Sequence, residues 1–552
     1  MVVIVDPHLK ADDSYHVFAQ ANAADLLVRS RDGTQPYIDK CWPGESGWLD
    51  YLNPSASEFW SSQFLFENFN GSTESLWIWN DMNEPSVFGG PEVTMDKSAT
   101  HWPEGYGAGK PIFEHREVHN MYGFLMTEAT FQGQSAARPG KRPFILSRAF
   151  FAGSQRHVAV WTGDSMASWA HLKLVTPMLL AISLSGISFV GSDIGGFFGN
   201  PDPELLIRWY ETAIYTPFCR AHAHSDTARR EPWLLEAEHT ELVRRALKRR
   251  YALLPYLYTL FEHAHRSAAP IMRPIWYEFP SDTLGYTEQE GFMLGRGLLV
   301  WPVLQPGSTS VAVRLPEGLW FDVSELFWAA PGTPMLSDGK TTIDVPAPLG
   351  HSPLLLRVGC VVPLRERPRR ATAAMVGDPI SLLLGVGSVS KWGATGELYS
   401  DDGETFRHRD QAESLRTRYQ LRHISGEGDS SEWELSASTT SLAMLAGREA
   451  RAATYRLQAA AAVGATSDHG DNQTLQWAGV ALRKVTVLGM RGCPTKAEVL
   501  SVADESTQLE AVRLEVICDT AELAGGAASA TVRVELRLHG LLAHGDWKVR
   551  LS

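Results

Sequence analysis

Two aspartates stand at the ends of short apolar runs that contain tryptophan: Asp81 in LWIWND and Asp164 in HVAVWTGD. Each run would give its carboxyl an apolar wall. Hydrolysis of a glycosidic bond needs such a pair. One carboxyl attacks the anomeric carbon or activates a water, and the other protonates the leaving oxygen. The two are 83 residues apart, the length of two strand–helix units, so side chains at such strand ends converge on one mouth. Taken singly, each Asp reads more simply as a loop or helix cap. Six runs that all end in polar groups make that simpler reading a poor one. Glu84, three residues past Asp81 and before Pro85, competes for a catalytic role; we read it as a loop residue that supports the pocket.

The elements that must position these groups follow from the pattern of the first ~265 residues, where apolar runs alternate with helical stretches. The runs are Val2 to His8, Leu76 to Asp81, Pro143 to Arg148, His157 to Asp164, Ile187 to Asp193 and Pro217 to His222. Continuous apolar runs suit parallel strands buried on both faces. Helices are expected over Val118 to Thr130, Ser168 to Leu184 and Glu204 to Tyr215. Glu238 to Arg266 reads as one long helix or two joined at Pro255. Functional groups at the C-terminal ends of alternating strands are the pattern of an α/β (β/α)8 TIM barrel. Six strands leave that barrel incomplete: either its first two strands are missing, or the sheet is open. Beyond Pro270 the pattern turns to period two, as in Val311 to Asp322 and Thr341 to Pro346, which predicts C-terminal all-β sandwich domains. Glu510 to Asp519 and Thr531 to Gly540 alternate likewise, and Ala459 to Gly464 and Ala524 to Ala530 read as loops. The expected division is a catalytic barrel at 1–268, a proximal sandwich at 269–368 and a distal sandwich at 369–552.

Composition narrows the function classes. A net charge of −13 argues against nucleic acid and against an anionic membrane surface. The 18 tryptophans fit stacking on sugar rings and equally fit a large core. Five widely spaced cysteines, Cys41, Cys219, Cys360, Cys493 and Cys518, form no CxxC pair and no zinc pattern. No signal peptide leads the chain. The most apolar stretch, Leu174 to Val190, is short and broken by Gly186, so no membrane span is expected. No cofactor and no metal are expected. His222, His224 and Asp226 lack a further ligand, and His115 and His119 in HREVH lack the glutamate position of a zincin. Sequons occur at Asn70 and Asn472.

WNDMNEPSVF, SRAFFAGSQR followed by VWTGD, GSDIGGFFGNPDPELLIRWY and PFCRAHAHSDTARREPW together resemble glycoside hydrolase family 31. VVIVDPH, CWPG, GPEVTMDK and YSDDGETF are similar to its branch that trims glucose from N-linked glycans. The resemblance runs from Val2 to about Arg407 and returns weakly at DWKVRLS. It implies a retaining α-glucosidase with Asp81 as nucleophile and Asp164 as acid/base. It further implies that Arg148 and His222 bind glucose hydroxyls and that Asp193 lines the same pocket. Trp42, Trp79, Trp161 and Phe197 would form its aromatic walls and Asp6 its polar floor. Also implied are a glucosylated high-mannose N-glycan with a terminal α-1,3-linked glucose as the oligosaccharide substrate, the endoplasmic reticulum lumen as location, and a non-catalytic β subunit as partner. That subunit would provide retention, since the chain ends in RLS.

Family members carry a β-sandwich and two barrel strands before the VVIVDPH strand, so the chain reads as N-terminally truncated and is expected to have little activity alone. The carboxyls of Asp81 and Asp164 are expected ~5–6 Å apart, as retention requires. The competing readings are a catalytically inactive carbohydrate-binding relative, and another family 31 hydrolase such as a lysosomal-type α-glucosidase or an α-xylosidase. Retention of both carboxylates counts against the first, and the Asn before Asp81 against the second.

Overall fold

The structure is a computed structural model. It describes residues 1–324, 333–387, 393–425, 432–441, 482–491, 497–502, 513–521, 531–539 and 547–551. The two Ala-rich loops, the Asn472 sequon and Cys493 lie outside the described residues. The chain falls into two compact units, Met1–Gly163 with Ser185–Ser192, and Asp164–Leu184 with Asp193–Ser552.

The first unit is built on a five-stranded parallel sheet. Its strands run in the order Val2–Ile4, Trp77–Asn80, Ile145–Ser147, Ala159–Trp161 and Val190–Gly191. Ile78, Ile145, Val160 and Val190 are all but fully buried, as expected of strands covered on both faces. The register sets Ile4 beside Trp79, Asn80 beside Ser147 and Trp161 beside Gly191. Asp81 and Arg148 therefore emerge from the C-terminal ends of adjacent strands. The first expected strand is shorter than the VVIVDPH run. Pro7 has no N–H to give a ladder, and His8–Lys10 turns away to pair antiparallel with Gly44–Trp48.

The His115–Ala137 helix extends the expected Val118 to Thr130 by about one turn at its start and about two turns at its end. A capping box explains its start, with the Glu114 carboxylate on the backbone at Glu117 and the Glu117 side chain on the Glu114 N–H. Gly123, on its buried face, admits a close approach. A Cβ there would sit 2.7 Å from the Asn83 carbonyl oxygen and 2.6 Å from the Ala149 Cβ.

In the second unit Asp193–Ile194 pairs parallel with Arg220–Ala221. The Ile187 to Asp193 run is thus two short pieces rather than one strand, parted at Ser192. The parallel strands form a sheet of five and a separate pair, not one closed ring. The Pro217 to His222 run shortens because Thr216 Oγ1 donates to the carbonyls of Ala213 and Phe218 and turns the chain. Helices occupy Trp169–Leu184, Pro203–Ala213 and Ala237–Ser267. The last is a single helix that passes through Pro255 and ends at Ala268 in the left-handed region, φ 57°. Among the described residues, no helix is long and apolar enough to cross a membrane.

From Met272 onward the second unit is strand-rich. A six-stranded sheet and the Ser310–Arg314/Thr342–Pro346 pair share a core of Met293, Leu299, Val313, Trp320, Val345 and Leu355. Val311 to Asp322 is two strands, because Leu315-Pro316-Glu317 forms a turn whose Pro316 carbonyl takes the Trp320 indole N–H. Two five-stranded sheets follow. Arg208, on the Pro203–Ala213 helix, is 1% exposed. Its guanidinium donates to Glu211 and to the carbonyls of Ser308, Ala347, Pro348 and His351.

Candidate active site

The Trp77–Asn80 strand delivers Asp81, and the chain then bends through Met82 at φ 57°. The Met82 N–H donates to Asp81 Oδ1 at 2.9 Å, which fixes the carboxylate's rotation. Arg148 leaves the neighbouring strand and grips this loop. Its Nε lies 3.4 Å from Asp81 Oδ1, and its Nε and Nη2 form a fork on Glu84 at 2.8 and 3.0 Å. Such a bidentate pair fixes direction as well as charge. Asn83 ties the loop down, donating to Ser147 Oγ at 2.9 Å and accepting the Ala149 N–H at 3.0 Å. Glu84 thus stands as a support of the loop through Arg148.

Asp6 lies in the same electrostatic neighbourhood. Burial pushes its carboxyl from the ordinary 3.8 to about 7, the Asp81 charge adds to the rise, Arg148 opposes it and Glu84 adds again. His8 Nε2 is 3.5 Å from Asp6 Oδ2. Burial lowers His8 to about 4, so at neutral pH this is a polar contact with an uncharged ring rather than an ion pair. The Trp79 and Trp161 rings meet edge to face, 5.4 Å between centroids. Trp42 stands apart, 67% exposed with Phe88 against its edge, and faces a cavity of about 760 Å³ that His8 also lines.

The second unit carries the other predicted residues. Asp193 follows the 0%-exposed pattern of a core residue yet keeps a charged partner. Arg220 Nη2 and Nε reach its Oδ1 at 2.6 and 3.1 Å. Burial raises Asp193 to about 6, Arg220 opposes that, and the Asp164 charge adds to it. Asp164 is therefore an electrostatic neighbour of Asp193. The residues after it are held in place, since the Phe197 and Phe198 N–H groups donate to the Ser165 carbonyl at 2.7 and 2.9 Å. Phe197 stacks on His222 at 5.3 Å, and Arg230 donates to the His222 carbonyl at 3.0 Å. Burial lowers His222 to about 4, helped by the charges of Arg220 and Arg230. The ring is neutral at pH 7 and suits hydroxyl recognition better than ion pairing.

The sequence reading took His222 from PFCRAH and passed over Arg220, the partner of Asp193. The parallel pairing of Asp193 with Arg220 is the signal that would have found it. It also set His115 and His119 aside as a failed metal motif without seeing their use. Asp50 Oδ1 meets His101 Nδ1 at 2.7 Å, His101 Nε2 meets His115 Nδ1 at 3.0 Å, and His115 Nε2 meets His119 Nδ1 at 2.8 Å. Where His101 Nδ1–H donates to the Asp50 carboxylate, each ring in turn donates from Nδ1 toward Asp50 and accepts at Nε2. Burial holds His115 near 3. This chain anchors the start of the helix whose Gly123 packs on Asn83.

Residues 1–260 match the TIM-barrel domain of glycosyl hydrolases family 31, and residues 268–362 match the C-terminal domain of the same family. The chain is 46% identical over 422 residues to neutral alpha-glucosidase AB of Homo sapiens, covering 76% of this chain and 43% of that protein. It is 47% identical over 414 residues to a probable glucan 1,3-alpha-glucosidase of Oryza sativa subsp. japonica, covering 75% and 43%. It also matches a solved ER glucosidase II heterodimeric complex of a catalytic subunit with the binding domain of a regulatory subunit. The TM-score there is 0.80 at 34% identity, over 100% of this chain and 54% of that one. The chain thus spans less than half the length of these curated relatives. With both of its matched domains and its most similar relatives in agreement, the chain belongs to glycoside hydrolase family 31.

Proposed function

We propose that the protein of which this chain forms part is a retaining α-glucosidase acting on terminal α-linked glucose. The observation that carries the reading is Asp81 at a strand end, oriented by the Met82 N–H and by Arg148, in a family 31 chain. Asp81 attacks the anomeric carbon while Asp164 gives its proton to the leaving oxygen. The glycosyl ester so formed on Asp81 is then cleaved by water, whose proton passes back to Asp164. Two inversions give net retention. Arg148 and His222 bind the glucose hydroxyls, Asp6 and Asp193 are further polar groups of the pocket, and Trp42, Trp79, Trp161 and Phe197 wall it.

The printed names of the relatives support a 1,3-linked α-glucose, the endoplasmic reticulum as location and a regulatory subunit as partner; the N-linked high-mannose glycan as substrate and the lumen rest on the resemblance of the motifs. The division into a barrel at 1–268 and sandwiches at 269–368 and 369–552 belongs to the same proposal. Proton NMR of glucose released by the full-length protein tests the mechanism. The α anomer should appear first; a β-first product would make Asp81 a base and overturn it.

A further inference from the structure

The Ala237–Ser267 helix and the strands Thr395–Ser400 and Leu415–Ser425 border a cavity of about 420 Å³. None of the residues assigned to glycoside cleavage lines it. Four guanidinium groups do, those of Arg266, Arg273, Arg296 and Arg418, against Glu397 as the one lining carboxylate. The surrounding carboxylates are shared. Glu278 takes both Arg273 and Arg357, Glu262 takes both Arg266 and Arg416, and Glu397 takes Arg418 at 3.2 Å and His263 at 2.9 Å. Arg296 forms no ion pair among the described residues. Five guanidinium groups therefore share three carboxylates, and Arg296 stands as a sixth outside these pairs, in a chain whose net charge is −13.

We propose that this cavity binds a phosphate dianion, free or as the monoester of a single sugar. Forked guanidinium donors match tetrahedral oxyanions, and their excess charge has no internal partner. Arg273 is the deep one, its side chain 10% exposed. Its Nε donates to the Pro270 carbonyl and its Nη1 to Glu278, while Nη2 makes no hydrogen bond among the described residues. Leu260 and Val361 give the wall an apolar part, which suits one face of a sugar ring. A cavity of this size admits a phosphorylated monosaccharide and not a branched glycan. Cys360 also lines it, but burial pushes its thiol up and its Sγ is turned to the Arg296 carbonyl. The site is therefore one for binding and not for covalent chemistry.

Isothermal titration of the intact chain tests this with inorganic phosphate, glucose 6-phosphate and glucose, against sodium chloride at matched ionic strength. Phosphate should bind saturably, and Arg296→Gln and Arg418→Gln should each weaken it at least tenfold, while Asp81→Asn leaves it unchanged. Arg296 and Arg418 are exposed, so these variants keep the fold. Tighter binding of glucose 6-phosphate than of phosphate, with glucose silent here, identifies the sugar monoester; equal binding identifies free phosphate. The proposal is overturned if no binding exceeds the chloride control, if both arginine variants bind as the parent does, or if Asp81→Asn abolishes binding. None of these readouts depends on glycoside hydrolysis.

Discussion

The Asp6 carboxyl gives the most direct test of the electrostatics around Asp81. Its side chain is 19% exposed, and its Oδ1 is buried without a hydrogen-bond partner among the described residues. Folding raises it from 3.8 to about 7. A carboxyl raised in this way binds more protons folded than unfolded, so stability falls as pH rises. The penalty is absent below about pH 4, grows between about pH 4 and pH 7 and is complete above that. At ~1.4 kcal/mol per pH unit it amounts to roughly 1.6 kcal/mol at pH 5 and about 4 kcal/mol at pH 8. Asp6→Asn keeps the shape and removes the titration. The variant should be more stable than the parent, by a margin that widens by about 2.5 kcal/mol from pH 5 to pH 8. For a unit of this size that corresponds to roughly 5–10 °C in the melting midpoint. His8, lowered by burial from 6.5 to about 4, changes its contribution between those values alike in both proteins and so cancels from the comparison. Thermal melts of the two proteins across pH 5–8 measure the margin. A margin independent of pH, or a variant less stable at pH 8, would refute the reasoning.

Three further outcomes follow from the site. In the full-length enzyme, Asp81→Ala should abolish turnover of every substrate. Asp164→Ala should retain substrates with good leaving groups and respond to azide, and equal loss on all substrates would remove Asp164 from the acid role. Arg220→Met takes away the charge that opposes the rise of Asp193, so that carboxyl should climb above about 6, by roughly 1–3 pH units, in carbon NMR of labelled aspartate. Gly123→Val forces a side chain against the Asn83 carbonyl and Ala149. It should cost about 1–3 kcal/mol of stability in denaturant unfolding and depress kcat through the Asp81 loop; an unchanged kcat would uncouple helix and loop.

What the sequence made legible was the placement of groups at strand ends. Asp81 and Arg148 were marked by apolar runs that stop abruptly, and the structure sets those runs side by side in parallel. What escaped it depended on partners distant in sequence. Arg220 matters because Asp193 stands opposite it, 27 residues away. His101 matters because Asp50 and His115 bracket it in space, and no local spacing announces that. The Ile187 to Asp193 run looked continuous because hydrophobicity does not report where pairing changes neighbour. Period two likewise could not show that the Val311 to Asp322 stretch breaks at Leu315-Pro316-Glu317 into strands of two different sheets.

Arg208 bears on how the chain can be cut. The two family domains match at 1–260 and 268–362, which invites expression of either half by itself. Arg208 sits in the first stretch, while four of the carbonyls that take its guanidinium, those of Ser308, Ala347, Pro348 and His351, sit in the second. A break near residue 265 strips those acceptors at a stroke. Among the described residues Glu211 remains as the one side-chain partner of Arg208, and the face that Ser308, Ala347, Pro348 and His351 covered is left to water. The line along which homologous sequences are divided is therefore not a line along which this protein comes apart. The strands after Met272 act as the lining of the helix before them, and the smallest piece worth expressing includes both.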